Sequence, residues 1–328
     1  MRAVRFARFG DPREVLEVQD LPSPQPGPGQ VRVRMLASPI NPSDLAVVRG
    51  NYGQLPALSA TPGFEGVGIV DAAGPGVLGW LRRGKRVAVL NGQGGNWQEE
   101  VVLPARQVVP IPSSIPDDQA SAFFVNPASA LIMTRYILRV PAGAWLLQTA
   151  AGSALGRMII RLGQSHGFKT LNVVRRPEQA EELLRLGASA VICSEFESID
   201  ERARELTGGV GVPSAIDAVG GATGSAVVRA LGPHGRMLVY GTLSAKPLTI
   251  DPRVLMVGDR RIEAFWLSNW VRGQNALGML RLFRQIRKLM AAGIFTTEVG
   301  ASFPLDQIHM AVKEAEIPGR KGKILLRF

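Results

Sequence analysis

An apolar strand, a turn of small residues, a helix with an apolar stripe and a second strand follow one another between residues 144 and 174. No other stretch restricts the chain as much. Ala144-Trp145-Leu146-Leu147-Gln148-Thr149 reads as a buried strand, and Ala150-Ala151-Gly152-Ser153-Ala154-Leu155-Gly156 as a tight turn. Arg157 to His166 reads as the helix, and Thr170-Leu171-Asn172-Val173-Val174 as the second strand, which ends on Arg175-Arg176. About 20 residues past the turn, an NAD-binding unit carries an Asp or Glu for the ribose hydroxyls, whereas an Arg there favours the 2′-phosphate of NADP. Two adjacent guanidiniums are forked donors that suit a phosphate dianion. The expected cofactor is therefore NADPH. The alternative makes both arginines solvated charges before a helix that begins at Pro177, which explains the proline but not the arginines. A strict G-x-G-x-x-G is absent, since Ser153 and Ala154 stand where Gly is frequent. Small side chains there still admit a pyrophosphate, whose charge the helix N-terminus favours.

A chain of 328 residues can bury a large core and is expected to form two domains. Hydrophobic residues make up 46% and charged residues 20%, which excludes general disorder. No apolar run reaches the length of a membrane span, and Arg2-Ala3-Val4-Arg5-Phe6 enters structure at once. No membrane association and no cleaved leader are expected, and the chain is placed in the cytoplasm. The single cysteine, Cys193, rules out an intramolecular disulfide and a cysteine-built zinc site. A net charge of +11 would attract polyanions: nucleic acid, a coenzyme A ester or an acidic carrier protein. The basic residues are scattered without interleaved aromatics, so nucleic acid is not the expected partner.

The first 120 or so residues differ from the middle of the chain. Short β-like runs at Val31 to Leu36, Gly66 to Asp71, Arg86 to Leu90 and Glu99 to Leu103 are separated by Pro- and Gly-rich turns, as in a bent antiparallel barrel. From residue 121 to 294 strands alternate with helices, with further strand candidates at Ala190 to Ile192, Ser214 to Asp217 and Arg236 to Tyr240. That alternation predicts a doubly wound parallel sheet covered on both faces, an α/β fold. Residues 295 to 328, with a short helix after Pro304 and a last strand from Lys323 to Phe328, are expected to rejoin the barrel of residues 1 to 120. Asn41-Pro42-Ser43-Asp44-Leu45 has the grammar of a helix start and Gly50 of a stop. Asn51-Tyr52-Gly53 follows as a loop.

With Ser38-Pro39-Ile40-Asn41-Pro42-Ser43-Asp44, Gly50-Asn51-Tyr52-Gly53, Val125-Asn126-Pro127, Asn172-Val173-Val174-Arg175 and Phe265-Trp266-Leu267-Ser268-Asn269-Trp270 in place, the chain resembles the zinc-independent branch of the medium-chain dehydrogenase/reductase superfamily. Within it the chain is similar to the mitochondrial-type 2-enoyl thioester reductases, with quinone oxidoreductases as relatives. The resemblance implies a GroES-like barrel domain and a Rossmann domain. Zinc alcohol dehydrogenases of the superfamily carry a metal-binding His in G-H-E-G. Here the segment is Gly63-Phe64-Glu65-Gly66, and with the cysteines also missing no metal is expected. His166, His234 and His309 are expected to be surface or capping residues.

Without a metal, polarising a substrate falls to hydrogen bonds and a protein acid. The resemblance implies that Tyr52 supplies the proton and NADPH the hydride. It also implies cofactor contacts from Asn126, from Gly152, Ser153, Ala154 and Leu155 in the phosphate turn, and from Arg175 and Arg176. Tyr240 and Gly241 would contribute at a strand end, Phe265, Trp266 and Leu267 would border the nicotinamide, and Lys323 would approach from the C-terminal strand. Ordinary core packing is the alternative for the aromatic residues; for Trp97 and Trp270 the lining of an acyl pocket is weighed against packing, and they are read as packing residues. The expected reaction is NADPH-dependent reduction of the 2,3 double bond of a 2-enoyl thioester carried by coenzyme A or by an acyl carrier protein. A quinone as hydride acceptor is the alternative. A nucleic-acid or scaffold-binding protein that keeps the dinucleotide fold is the reading from another class. The resemblance further implies a homodimer joined through edge strands near Arg261 to Phe265.

Overall fold

Consecutive buried apolar residues, such as Leu146-Leu147, Val173-Val174 and Ala215-Ile216, place apolar side chains on both faces of the central strands, and a strand apolar on both faces is stable only inside a sheet covered on both sides. In the computed structural model, which describes residues 1–328, six strands form one parallel sheet. Their spatial order is Ala190–Cys193, Lys169–Val174, Trp145–Gln148, Val212–Asp217, Leu231–Val239 and Arg261–Ala264. The sequence runs outward in both directions from Trp145–Gln148, which is the doubly wound order, and the direction reverses between that strand and Val212–Asp217. Ligands of such sheets bind beyond the carboxyl ends of the strands at that reversal. Leu147 pairs with Leu171 and with Ala215. Together with Ile192, Val212, Val227 and Met237 these residues form a core from which solvent is fully excluded.

The helix after the first strand spans Ala154–His166. It starts three residues earlier than the apolar periodicity predicts, because the Ser153 hydroxyl accepts the Gly156 N–H at 3.1 Å and caps it. Gly156 is fixed by proximity: a Cβ there would lie 2.4 Å from the Ala151 carbonyl oxygen. The helix stops at Gly167, whose φ of 75° is left-handed.

The chain separates into two units, Asn126–Phe295 around this sheet and Met1–Val125 with Thr296–Phe328. The second unit holds a seven-stranded sheet organised by the long strand Gln30–Pro39. Along one edge, Gln30 to Arg34 pair antiparallel with Pro104 to Glu100, and Ala37 to Pro39 with Arg327 to Leu325. Glu65–Ala73 occupies the other edge with irregular register at Arg32/Val33 and Met35/Ala37, the kind of bulge that bends a strand. The sheet is not wholly antiparallel, since Val299–Pro304 runs parallel to Lys323–Arg327. The return of the chain to this unit is secured by a reciprocal pair: Gln119 Nε2 donates to the Thr297 carbonyl at 2.7 Å, and the Thr297 N–H donates to Gln119 Oε1 at 2.8 Å.

Leu147→Ala should destabilise the parallel-sheet unit by about 2 to 5 kcal/mol, the usual cost of a cavity at a fully buried leucine. Urea denaturation followed by far-ultraviolet circular dichroism measures it. A midpoint equal to that of the unmodified chain would contradict the placement of Leu147 at the centre of this core.

Candidate active site

Eleven of the candidate site residues fall at the carboxyl rim of the parallel sheet, each just after a strand. Gly152, Ser153, Ala154 and Leu155 follow Trp145–Gln148; Arg175 and Arg176 follow Lys169–Val174; Tyr240 and Gly241 follow Leu231–Val239; Phe265, Trp266 and Leu267 follow Arg261–Ala264. The turn is held from below. Gln148, fully buried, donates through Nε2 to Asn172 Oδ1 at 2.7 Å and to the Gly156 carbonyl at 3.0 Å, tying both strands to the first turn of the helix. Ala150 takes a left-handed φ of 51°, and the Ser153 N–H closes the turn on the Ala150 carbonyl at 2.9 Å. The turn therefore presents a helix N-terminus with small side chains, which suits a pyrophosphate.

Arg175 is exposed and Arg176 half-buried. Neither guanidinium is engaged in a hydrogen bond or an ion pair. Both line an open cavity of about 540 Å³ together with Ser194 and Glu195. Two unpaired cations beside a cavity, at the end of the strand where nucleotide choice is made, fit the 2′-phosphate of NADPH.

Beside the turn, at the end of the adjacent strand, Asp217 orders a second loop. It accepts Thr149 Oγ1 at 2.6 Å and the N–H groups of Val219 and Gly220 at 3.0 and 2.8 Å. The Tyr240 N–H reaches the Asp217 carbonyl at 2.9 Å. Burial, and secondarily the Asp217 carboxylate, push the Tyr240 phenol well above its ordinary range. Phe265 is buried, with its N–H on the Val239 carbonyl at 2.8 Å. Trp266 and Leu267 are half-buried where the short helix Leu267–Arg272 begins. Asn126 lies, half-buried, in the helix Val125–Leu131.

Tyr52 and Lys323 belong to the other unit. The chain Pro42–Val48 is helical, as its Asn-Pro-Ser-Asp start predicts, and Gly50 ends it with a φ of 75°. Tyr52 follows in the loop, half-buried, its ring 5.4 Å from that of Phe64. Phe64 is positioned in turn by Asp44, whose Oδ1 accepts the Phe64 N–H at 3.0 Å while Oδ2 accepts the Asn41 N–H at 2.8 Å. The Asn41 amide bridges two charges: Oδ1 accepts from Lys323 Nζ, and Nδ2 donates to Glu65 Oε1 at 3.2 Å. Glu65 Oε2 accepts the N–H groups of Phe124 and Val125 at 3.0 and 2.9 Å. Asn41, Asp44, Glu65 and Lys323 are all at most 5% exposed. The Lys323 ammonium is thus engaged inside its own unit through Asn41. Its pKa is drawn down by burial. Burial likewise raises the Asp44 carboxyl to about 7, outweighing the two backbone N–H groups it accepts.

This buried network, the Gln148–Asn172 pair and the Asp217 loop are not evident from the sequence. Their signal is polar residues inside apolar strands or beside Gly and Pro, but their partners lie up to 282 residues apart. Trp97 is fully buried in the core with Phe6, Ile40 and Ile308 and is a packing residue. Trp270 packs edge-on against Tyr136, 5.8 Å between ring centres. His166 bonds the Leu162 carbonyl near its helix end, His234 meets Asp259 at the surface, and His309 is exposed.

A doubly wound sheet whose rim carries a helix-capped turn and two uncommitted arginines is a dinucleotide-binding unit. Residues 154–283 match the family described as zinc-binding dehydrogenase, and residues 27–113 the alcohol dehydrogenase GroES-like domain. The chain is 32% identical to the mitochondrial enoyl-(acyl-carrier-protein) reductase of Rattus norvegicus over 323 residues, covering 97% of this chain and 86% of the relative. A Bacillus thuringiensis structure, provisionally named an NADPH:quinone reductase, is 34% identical with a TM-score of 0.94, over 100% of this chain and 98% of that one. A mycobacterial structure complexed with NADPH is 25% identical with a TM-score of 0.90, over the full length of both. The chain belongs to the medium-chain dehydrogenase/reductase superfamily, in the family of the mitochondrial enoyl-(acyl-carrier-protein) reductases.

The carboxyl of Asp44 gives a stability signature. Its pKa rises from 3.8 to about 7 on folding, so between these values the folded chain holds a proton that the unfolded chain has released. Stability contributed at this site therefore falls as pH rises from about 4 to about 7 and is level above. Asp44→Asn removes the titration. The urea midpoint of D44N relative to the unmodified chain should move in favour of D44N across that window. A constant difference would show that Asp44 titrates at its ordinary pKa.

Proposed function

We propose that the chain reduces the 2,3 double bond of 2-enoyl thioesters with NADPH. At the level of class it is an NADPH-dependent oxidoreductase. The observation that carries the proposal is the full-length likeness to enoyl thioester reductases in a chain whose Arg175-Arg176 pair faces an open cavity, uncommitted. When bound, the dinucleotide supplies a hydride, for which C3 of a conjugated thioester is the electrophilic centre. The residues of the chain perform the rest. Arg175 and Arg176 bind the 2′-phosphate, and the Ala150 to Gly156 turn takes the pyrophosphate. Tyr52 gives its phenolic proton to C2 as the C2–H bond forms, and water restores it.

Support for Tyr52 comes from its mounting: a half-buried phenol on the Phe64 ring, which Asp44 fixes through the backbone. Phe64 also occupies the place of the metal-binding His, and no group of three or more His, Cys, Asp and Glu side chains could hold a metal ion. The zinc of the family description is therefore not carried to this chain. No helix is long and apolar enough to cross a membrane. Reduction of a quinone is the second reading, favoured by the 34% identical structure that bears that name. We further propose a homodimer formed through Arg261–Ala264, the last strand of the parallel sheet, which has a neighbour on one side only.

Replacing Arg175 and Arg176 together by Ala should weaken NADPH by about tenfold or more, the scale of lost charge-assisted bonds, and leave NADH nearly unchanged. Equilibrium titration of both nucleotides measures this. Equal affinity for the two in the unmodified protein would refute the assignment. Tyr52→Phe keeps the ring on Phe64 and deletes the proton. It should lower turnover of a 2-enoyl thioester by roughly 10²-fold with NADPH affinity preserved, and slow a quinone less. Unchanged thioester turnover would make Tyr52 a packing residue; quinone turnover with no thioester turnover in the unmodified protein would select the second reading.

A further inference from the structure

The cavity beside Arg175 and Arg176 also contains a carboxylate, Glu195. Its place is dictated by the sheet. Ala190–Cys193 pairs in parallel with Lys169–Val174, Cys193 opposite Val174, so the residues that follow these strands emerge side by side on one rim. Ser194 is bound there, its N–H and hydroxyl both on the Val174 carbonyl at 2.9 and 3.2 Å. Glu195 is exposed and, like the arginines, engaged in no hydrogen bond or ion pair. The neighbouring Glu197 is committed elsewhere: it accepts the Cys193 N–H at 2.7 Å and faces Arg202 at 3.4 Å. One cavity thus combines the two chemistries by which such units choose a nucleotide, guanidiniums for a 2′-phosphate and a carboxylate for ribose hydroxyls.

We propose that Glu195 is a specificity-determining residue for the cofactor. Its carboxylate accepts the ribose hydroxyls of an unphosphorylated adenosine and repels the 2′-phosphate, so that it narrows the NADPH preference created by Arg175 and Arg176. The inference rests on reading those arginines as the 2′-phosphate site. A phosphate dianion in this cavity meets a net charge of one positive unit instead of two. Across a few ångströms of partly exposed, salt-screened space that difference is worth a several-fold change in affinity.

Glu195→Gln removes the charge and keeps the shape; Glu195→Ala also removes the acceptor. Binding of NADPH, NADH and adenosine 2′,5′-bisphosphate is measured by calorimetric titration, with no substrate present. In both variants the ratio of NADPH to NADH affinity should rise by about three- to tenfold. Adenosine 2′,5′-bisphosphate should tighten in parallel, E195A should lose NADH affinity, and high salt should erase the gain for the phosphorylated ligands. An unchanged affinity ratio in both variants, with NADPH still weakened by the double arginine replacement, overturns the role of Glu195 alone. NADPH and bisphosphate affinities that survive the double arginine replacement overturn the 2′-phosphate reading and this inference with it.

Discussion

The unit built from the two ends of the chain depends on one buried polar network. Lys323 enters on the C-terminal strand, Asn41 at the end of the long N-terminal strand, and Glu65 and Asp44 on the neighbouring strand and helix. Each is nearly or fully excluded from water. Burying an ammonium and two carboxyls is unfavourable unless every polar atom finds a partner, and removing one member of such a set costs about 3 to 5 kcal/mol. The Asn41 amide resolves this by offering an acceptor to the cation and a donor to the anion at once. Its position between them requires Ile40 to lie beside Ile324, and the Ile40 N–H does meet the Ile324 carbonyl at 2.9 Å. Strand pairing and charge pairing are one event. The raised pKa of Asp44 follows first from its burial, with the Glu65 carboxylate adding to it and Lys323 offsetting only part.

The other unit solves a different problem with the same means. A parallel sheet covered on both faces can expose chemistry only at its rims. Its carboxyl rim is stiffened beneath the surface by Gln148 with Asn172 and by Thr149 with Asp217. Above these the small-residue turn and the arginines stay open. Buried side-chain bonds therefore hold the loops, and the groups left for a ligand are backbone N–H groups and unpaired cations. That division gives a preorganised site at little cost in side-chain ordering.

The parallel sheet was legible because period and composition are local. An apolar strand, a small-residue turn and an amphipathic helix identify themselves within 30 residues or so. Apolar periodicity places the start of the helix three residues too late, because the cap at Ser153 depends on one hydroxyl and not on periodicity. The parallel pairing of Val299–Pro304 within an otherwise antiparallel sheet was not legible, because register is decided by partners elsewhere in the chain. Lys323 shows the same limit for a site. Its place at the start of a strand says nothing of Asn41, and only the assembled sheet sets the two together. Glu195 is not legible in the sequence for a related reason: its neighbours in the cavity come from a strand that ends about 20 residues earlier.

Phe64 connects the two ways of activating a carbonyl compound within this superfamily. A His at this position could donate to a metal, which would polarise the substrate directly. A Phe cannot, but it can support another ring. Its backbone N–H is held by Asp44, and its ring lies 5.4 Å from that of Tyr52, so in the proposed reaction the position would act through the phenol it supports. A phenol is a Brønsted acid and not a Lewis acid, so it polarises a carbonyl less than a metal does, yet it can place a proton on carbon, which a metal does not. An alkene conjugated to a thioester needs only that proton once hydride has reached C3, because the thioester itself stores the intermediate charge as an enolate. Exchange of a metal ligand for an aromatic platform is thus consistent with a change of substrate from alcohols and aldehydes to activated double bonds.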